Sequence, residues 1–181
     1  MRIAYLINHN ISKNDGVTKK ILNQINEWKN LGNEVVVFCN TVNSGNSILE
    51  AKQYQAGNFL ESRLKVNVKL LSDINKFNPD IVYFRYDTWS RTFQRIQKRY
   101  KVITELNTND LSEHLLLLKK EKNIKSLLRY LSYYFFRGEI LRNVDGIVSV
   151  TNEISNLDSV NKFNKKSITI PNSIDLVNYN I

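Results

Sequence analysis

The chain has 181 residues, 42% of them apolar, enough to build one sizeable hydrophobic core. Against 17 acidic residues stand 26 lysines and arginines, a net charge of +9 that favours anionic partners. Cys39 is alone and the histidines are His9 and His114, so the sequence offers neither a disulfide framework nor a zinc-ligand cluster, and it suits a reducing cytoplasm.

The first apolar run ends at Asn8, too short for a signal core, and Leu115 to Leu118 falls far below the roughly 18 residues a spanning helix needs. Zinc-finger spacing, an RNA-recognition sheet motif and a helix-turn-helix are missing, which sets nucleic acid aside as a partner.

Arg2 to Asn8 reads as a buried strand, and His9 to Asp15 as a polar loop. Gly16 then opens a helix whose Val17, Ile21, Ile25 and Trp28 recur at helical spacing, with Asp15 as its cap and Gly32 as its stop. Glu34 to Cys39 is β-branched and nearly all apolar, a strand buried on both faces, so the opening forty residues form a βαβ unit. Asn40 to Asn46 reads as loop and Ile48 to Ser62 as helix. Leu64 to Leu71 alternates apolar and polar residues, the pattern of a half-exposed strand, and Asp73 to Phe77 reads as a short helix.

Ile81 to Arg85 and Lys101 to Leu106 are two further strands with a helix from Thr88 to Tyr100 between them. Leu111 to Asn143 is helical, with a break near Asn123, and Asp145 to Val150 returns to the sheet. A short helix from Asn152 and a last strand at Ser167 to Ile170 follow. The fold class is therefore α/β, a doubly wound, mainly parallel sheet of about seven strands with helices on both faces.

In such a sheet the carboxyl ends of the strands share one edge, where ligands bind. Polar residues gather there: His9 and Asn10 after the first strand, Arg85, Tyr86 and Asp87 at the fourth, Glu105, Asn107 and Asn109 at the fifth. These form the expected cleft. Glu105, an acid inside a buried strand, needs a partner or a task. Gly16 is the one glycine of the first loop, so the three-glycine dinucleotide fingerprint is absent.

Several stretches together resemble the N-terminal half of family 4 retaining glycosyltransferases of GT-B fold. They are the opening MRIAYLIN strand with Asp15-Gly16-Val17, Leu31-Gly32-Asn33-Glu34-Val35, Pro79-Asp80-Ile81-Val82-Tyr83 and Val144 to Thr151. The most specific is Ile168-Thr169-Ile170-Pro171-Asn172-Ser173-Ile174-Asp175, with Ser173 where that family usually has glycine. The resemblance implies an acceptor-binding domain over residues 1–175, with 176–181 starting the passage to a C-terminal donor domain outside this chain.

It further implies a sugar or lipid-linked sugar acceptor, cell-surface polysaccharide or glycolipid synthesis, no cofactor held by this chain, and a nucleotide-sugar as co-substrate of the complete enzyme. Asp15 and Gly16 would let the donor phosphate approach the helix start. Asn107 stands where many relatives carry a histidine. The Glu105/Glu113 spacing imitates a motif of the donor half but lies in the wrong setting. This chain alone is expected to be inactive. A non-catalytic doubly wound module, and a membrane-surface subunit needing a separate donor-domain partner, are the alternatives.

The basic helical region carries two stripes. Ile124, Leu127, Leu128, Leu131 and Phe135 read as the core-facing one. Tyr130, Tyr133, Arg137 and Ile140, with Lys125 and Arg129 nearby, read as the face that could meet an anionic membrane, on the inner side of which the protein would be peripheral.

Overall fold

The computed structural model describes residues 1–12, 15–41, 51–55, 59–87 and 89–172. Seven strands form one sheet: β1 (Arg2–Ile7), β2 (Glu34–Thr41), β3 (Lys52–Gln55), β4 (Ile81–Arg85), β5 (Val102–Leu106), β6 (Gly146–Ser149) and β7 (Lys166–Thr169). The strand order is β3-β2-β1-β4-β5-β6-β7 and each pairing is parallel, the doubly wound arrangement expected. The order reverses between β1 and β4, which opens a crevice at their carboxyl ends.

Eight helices accompany the strands among the described residues: α1 (Gly16–Asn30), α2 (Phe59–Leu64), α3 (Val68–Phe77), α4 (Arg91–Gln97), α5 (Asp110–Glu121), α6 (Ile124–Arg142), α7 (Asn152–Ser155) and α8 (Asp158–Asn161). None is long and apolar enough to cross a membrane. On one face, Ile21 and Ile25 of α1 pack on Tyr5, Val35, Val37 and Tyr83. The other face is covered by α3, α4, α6, α7 and α8 through Leu70, Ile74, Phe93, Ile140, Leu141, Ile154 and Val160.

Two expectations change. Leu64 to Leu71 is not a strand: Asn67 caps α3, its Oδ1 accepting from Leu70 N at 3.0 Å, and Leu70, Ile74 and Phe77 are buried at helical spacing. Capping and the longer 3.6-residue period override a short alternation. The expected helix at 48–62 divides instead into β3, with Tyr54 buried, and α2; residues 48–50 and 56–58 lie outside the described residues. The strand total matches because β3 replaces the misread segment. β2 also runs through Asn40 and Thr41, while the rest of the expected loop, 42–46, lies outside the described residues.

The break expected near Asn123 is there. Lys122 takes a left-handed conformation (φ 49°), and Asn123 Oδ1 accepts from Ser126 N at 2.8 Å to start α6.

Candidate functional site

The site is built where β1, β4 and β5 end. Glu105, 2% exposed, is its hub. Its Oε1 accepts from Lys20 Nζ at 2.7 Å and from Arg85 Nη1 at 3.1 Å. Its Oε2 accepts from Tyr83 OH at 2.6 Å and from Gln24 Nε2 at 3.3 Å. Lys20 Nζ also donates to Asn107 Oδ1 at 2.9 Å, and Tyr5 OH to Gln24 Oε1 at 2.9 Å.

Burial alone would raise the Glu105 pKa. The hydrogen bonds from Lys20 and Tyr83 and the charges of Lys20 and Arg85 outweigh it and hold the carboxyl below its usual value. The Tyr83 hydroxyl is pushed up, by burial first and then by Glu105. Glu105 is thus an ionised acceptor engaged by four donors. That suits fixing α1 against β5 and suits proton transfer poorly. A cavity of about 280 Å³ opens beside this cluster, lined by Lys20, Gln24, Trp28, Glu105, Val148 and Pro171. Asn172 of the isoleucine-proline-asparagine stretch lines it too, whereas Ser173 to Asp175 and the expected passage at 176–181 lie outside the described residues.

A second cluster centres on Asp87. Its Oδ2 accepts from Asn8 Nδ2 at 3.1 Å and Arg63 Nη2 at 2.9 Å, its Oδ1 from Tyr133 OH at 3.0 Å. The Asn8 contact joins β1 and β4 across the crevice. The His114 and Tyr133 rings lie 4.0 Å apart. Tyr86 turns its hydroxyl inward, with no hydrogen-bond partner among the described residues, and burial raises its pKa well above the usual value.

At the first turn of α1, Asp15 Oδ1 accepts from Thr18 N at 2.9 Å, and His9 Nε2 lies 3.1 Å from Asp15 Oδ2. The Thr18 bond first, and His9 after it, holds the Asp15 carboxyl below its usual value. A Cβ added at Gly16 would meet nothing within 4 Å among the described residues, and the position needs no left-handed backbone. Among the described residues, neither packing nor backbone conformation requires glycine there.

Of the expected cleft residues, Arg85, Glu105 and Asn107 come together, and Asp87 anchors its own cluster. Asn10 turns aside, its Oδ1 accepting from Ser12 N at 3.1 Å and Oγ at 2.6 Å, and Asn109 caps α5 by accepting from Ser112 N at 3.3 Å. Lys20, Gln24, Tyr83 and Arg63 were not anticipated. Lys20 and Gln24, four residues apart beside the Val17/Ile21/Ile25 stripe, carried the available signal: a polar pair able to answer a buried acid.

The stripes of α6 are reversed from expectation. Arg137 is 2% exposed, its Nε 2.9 Å from Asp110 Oδ1 and its Nη1 donating to Ser159 Oγ at 2.9 Å. Tyr133 is held by Asp87. Arg137 therefore turns inward to the buried Asp110, and Tyr133 is drawn to the half-buried Asp87, so neither points outward with the exposed stripe. Lys125 and Arg129 are exposed, Tyr130 is half-buried, and the stripe of Ile124, Leu128 and Phe135 read as core is in solvent.

Neither a protein-family model nor a curated protein sequence matches the chain. Solved structures do. One is an alpha-glucosyltransferase in complex with UDP and a 13-mer DNA containing a central A:G mismatch: 17% identity, 98% of this chain and 42% of that one, TM-score 0.60. Another is an alpha-glucosyltransferase in complex with UDP and a 13-mer DNA containing a HMU base: 16% identity, 98% and 44% coverage, TM-score 0.61.

The fold is glycosyltransferase-like. The chain spans less than half the length of these structures. Setting nucleic acid aside was a misjudgement, since glucosyltransferases of this fold are held in complex with DNA. Zinc-finger, RNA-recognition and helix-turn-helix patterns mark dedicated nucleic-acid modules, so their absence from the sequence says nothing about this fold.

Proposed function

We propose that this chain is the acceptor-side half of a GT-B glycosyltransferase of family 4 type. In that reading it transfers a sugar from a nucleotide-sugar, with retention, in cell-surface polysaccharide or glycolipid synthesis, and a fused or separate second half holds the donor. The observation that carries the reading is Gly16: at the helix start beside the β1/β4 crevice, a residue beside which no described residue would meet an added side chain. Open space and first-turn N–H groups there suit a donor phosphate brought in by the second half.

Near-complete coverage of this chain against under half of the neighbours supports a missing half. The engaged, ionised Glu105 supports a mechanism in which the leaving phosphate, rather than a base on this domain, assists attack. Lys20 and Arg85 then keep positive charge beside the crevice, and the Asp87 cluster fixes the β1 and β4 ends that frame the acceptor.

The test joins this chain to a half that binds UDP-glucose and follows UDP release. Release should require both halves. Gly16→Val should leave the melting temperature unchanged yet lower kcat by at least about 100-fold, the scale of losing positioning at the reacting groups. Turnover by this chain alone, or undiminished turnover by the variant, refutes the reading.

A further inference from the structure

Large apolar side chains should be inside, and here they concentrate on the outside of one helix. Ile124, Leu128, Leu131 and Phe135 recur at spacings of four, three and four, which places them in one line along α6. Ile124 is 70% exposed, Leu128 58% and Phe135 67%. Tyr134 beside them and Leu116 on α5, which packs against α6, are exposed as well. The inner side of α6 is occupied: Ser126, Arg137 and Ile140 are buried, so rotating the helix cannot hide the stripe. Between α6 and the Trp89 segment runs a groove of about 680 Å³, walled by Arg63, Trp89, Lys125, Leu128, Ser132 and Phe135. A contiguous apolar surface of this kind marks an interaction site.

Charge identifies what covers it. Residues 115–136 carry Lys119, Lys120, Lys122, Lys125 and Arg129 against the single acid Glu121. A second copy related by a two-fold axis would bring these cations face to face. A cationic amphipathic helix with aromatic and leucine side chains on its apolar face matches the headgroup boundary of an anionic bilayer. We propose that the outer face of α6, with the α5–α6 turn, docks on anionic lipid, Ile124, Leu128 and Phe135 entering the acyl boundary while Lys125, Arg129 and the turn lysines meet headgroup phosphates. The proposal concerns a different surface from the sugar-transfer edge and does not rest on that reading.

The chain itself is spun down with phosphatidylcholine vesicles with and without phosphatidylglycerol. It should sediment with the anionic vesicles, and release when the Debye length is cut to about 3 Å by 1 M salt. Lys125→Gln and Arg129→Gln should each weaken partitioning roughly fivefold, the factor for about 1 kcal/mol per basic residue. Ile124→Ser with Phe135→Ser should weaken it more than about tenfold, with melting unchanged because both are exposed. Absence of sedimentation with anionic vesicles, or indifference to these substitutions, overturns the proposal. So does sedimentation velocity showing a dimer that the serine variant dissociates, or binding of a 13-mer DNA duplex lost in the glutamine variants while vesicles are ignored.

Discussion

Glu105→Gln removes one charge and almost no volume from the hub of the carboxyl edge. In the wild type, Lys20 Nζ is 2.7 Å and Arg85 Nη1 3.1 Å from Oε1. At an effective dielectric of 20 those separations correspond to gross attractions of about 6 and 5 kcal/mol, most of which offsets desolvation. Removing one partner of a buried pair costs about 3–5 kcal/mol, and since the Lys20 and Arg85 side chains keep 26% and 17% exposure, the lower end, about 3 kcal/mol, applies. For a domain of this size that is a fall in Tm of about 6–12 °C.

The pH dependence gives a second readout. A carboxyl whose folded pKa is depressed binds fewer protons folded than unfolded, so its stabilisation is complete above the unfolded value and is lost as pH falls through the folded one. Urea unfolding at stepped pH should therefore show wild type and variant converging below the ordinary carboxylate value of 4.5. Asp15, also held low, contributes equally to both proteins and drops out of the difference. A variant within about 1 kcal/mol of wild type at neutral pH, the range of exposed pairs, would refute the reasoning.

Other outcomes follow from the remaining buried groups. Asp110→Ala should cost about 3–5 kcal/mol in urea unfolding by stranding Arg137, and Asp110→Leu with Arg137→Met should recover most of it. Tyr133→Phe should cost about 1.5–3 kcal/mol by removing one donor from the Asp87 carboxylate, with little change in packing. Cys39 is buried, its thiol pKa pushed up by desolvation to about 11, and should ignore a thiol reagent at mildly alkaline pH until the protein unfolds.

Strong period and composition made the sheet legible: β1, β2, β4, β5 and β6 are apolar runs bounded by polar residues, and α1 declares itself by cap, stripe and stop. What failed were short segments. Leu64 to Leu71 offered three alternating apolar residues, too few to outvote a cap at Asn67. In α6 both stripes are amphipathic, and which one turns inward depends on Asp87 and Asp110, far away in sequence, so composition pointed the wrong way. The site divides similarly. Glu105 was conspicuous as a buried acid, while Lys20 and Gln24 gained meaning only when α1 was laid over β5.

The strand order carries a cost for the growing polypeptide. β1 precedes the other six strands in sequence yet lies inside the sheet, hydrogen-bonded to β2 on one side and to β4, with Ile3 opposite Ile81, on the other. Until that later stretch is synthesised, one edge of an almost wholly apolar strand lies open, for roughly 4–16 s at about 5–20 residues per second. An unpaired apolar edge invites pairing with another nascent chain. The stretch between β1 and β4 is therefore one over which a nascent chain is exposed to aggregation and open to chaperone capture.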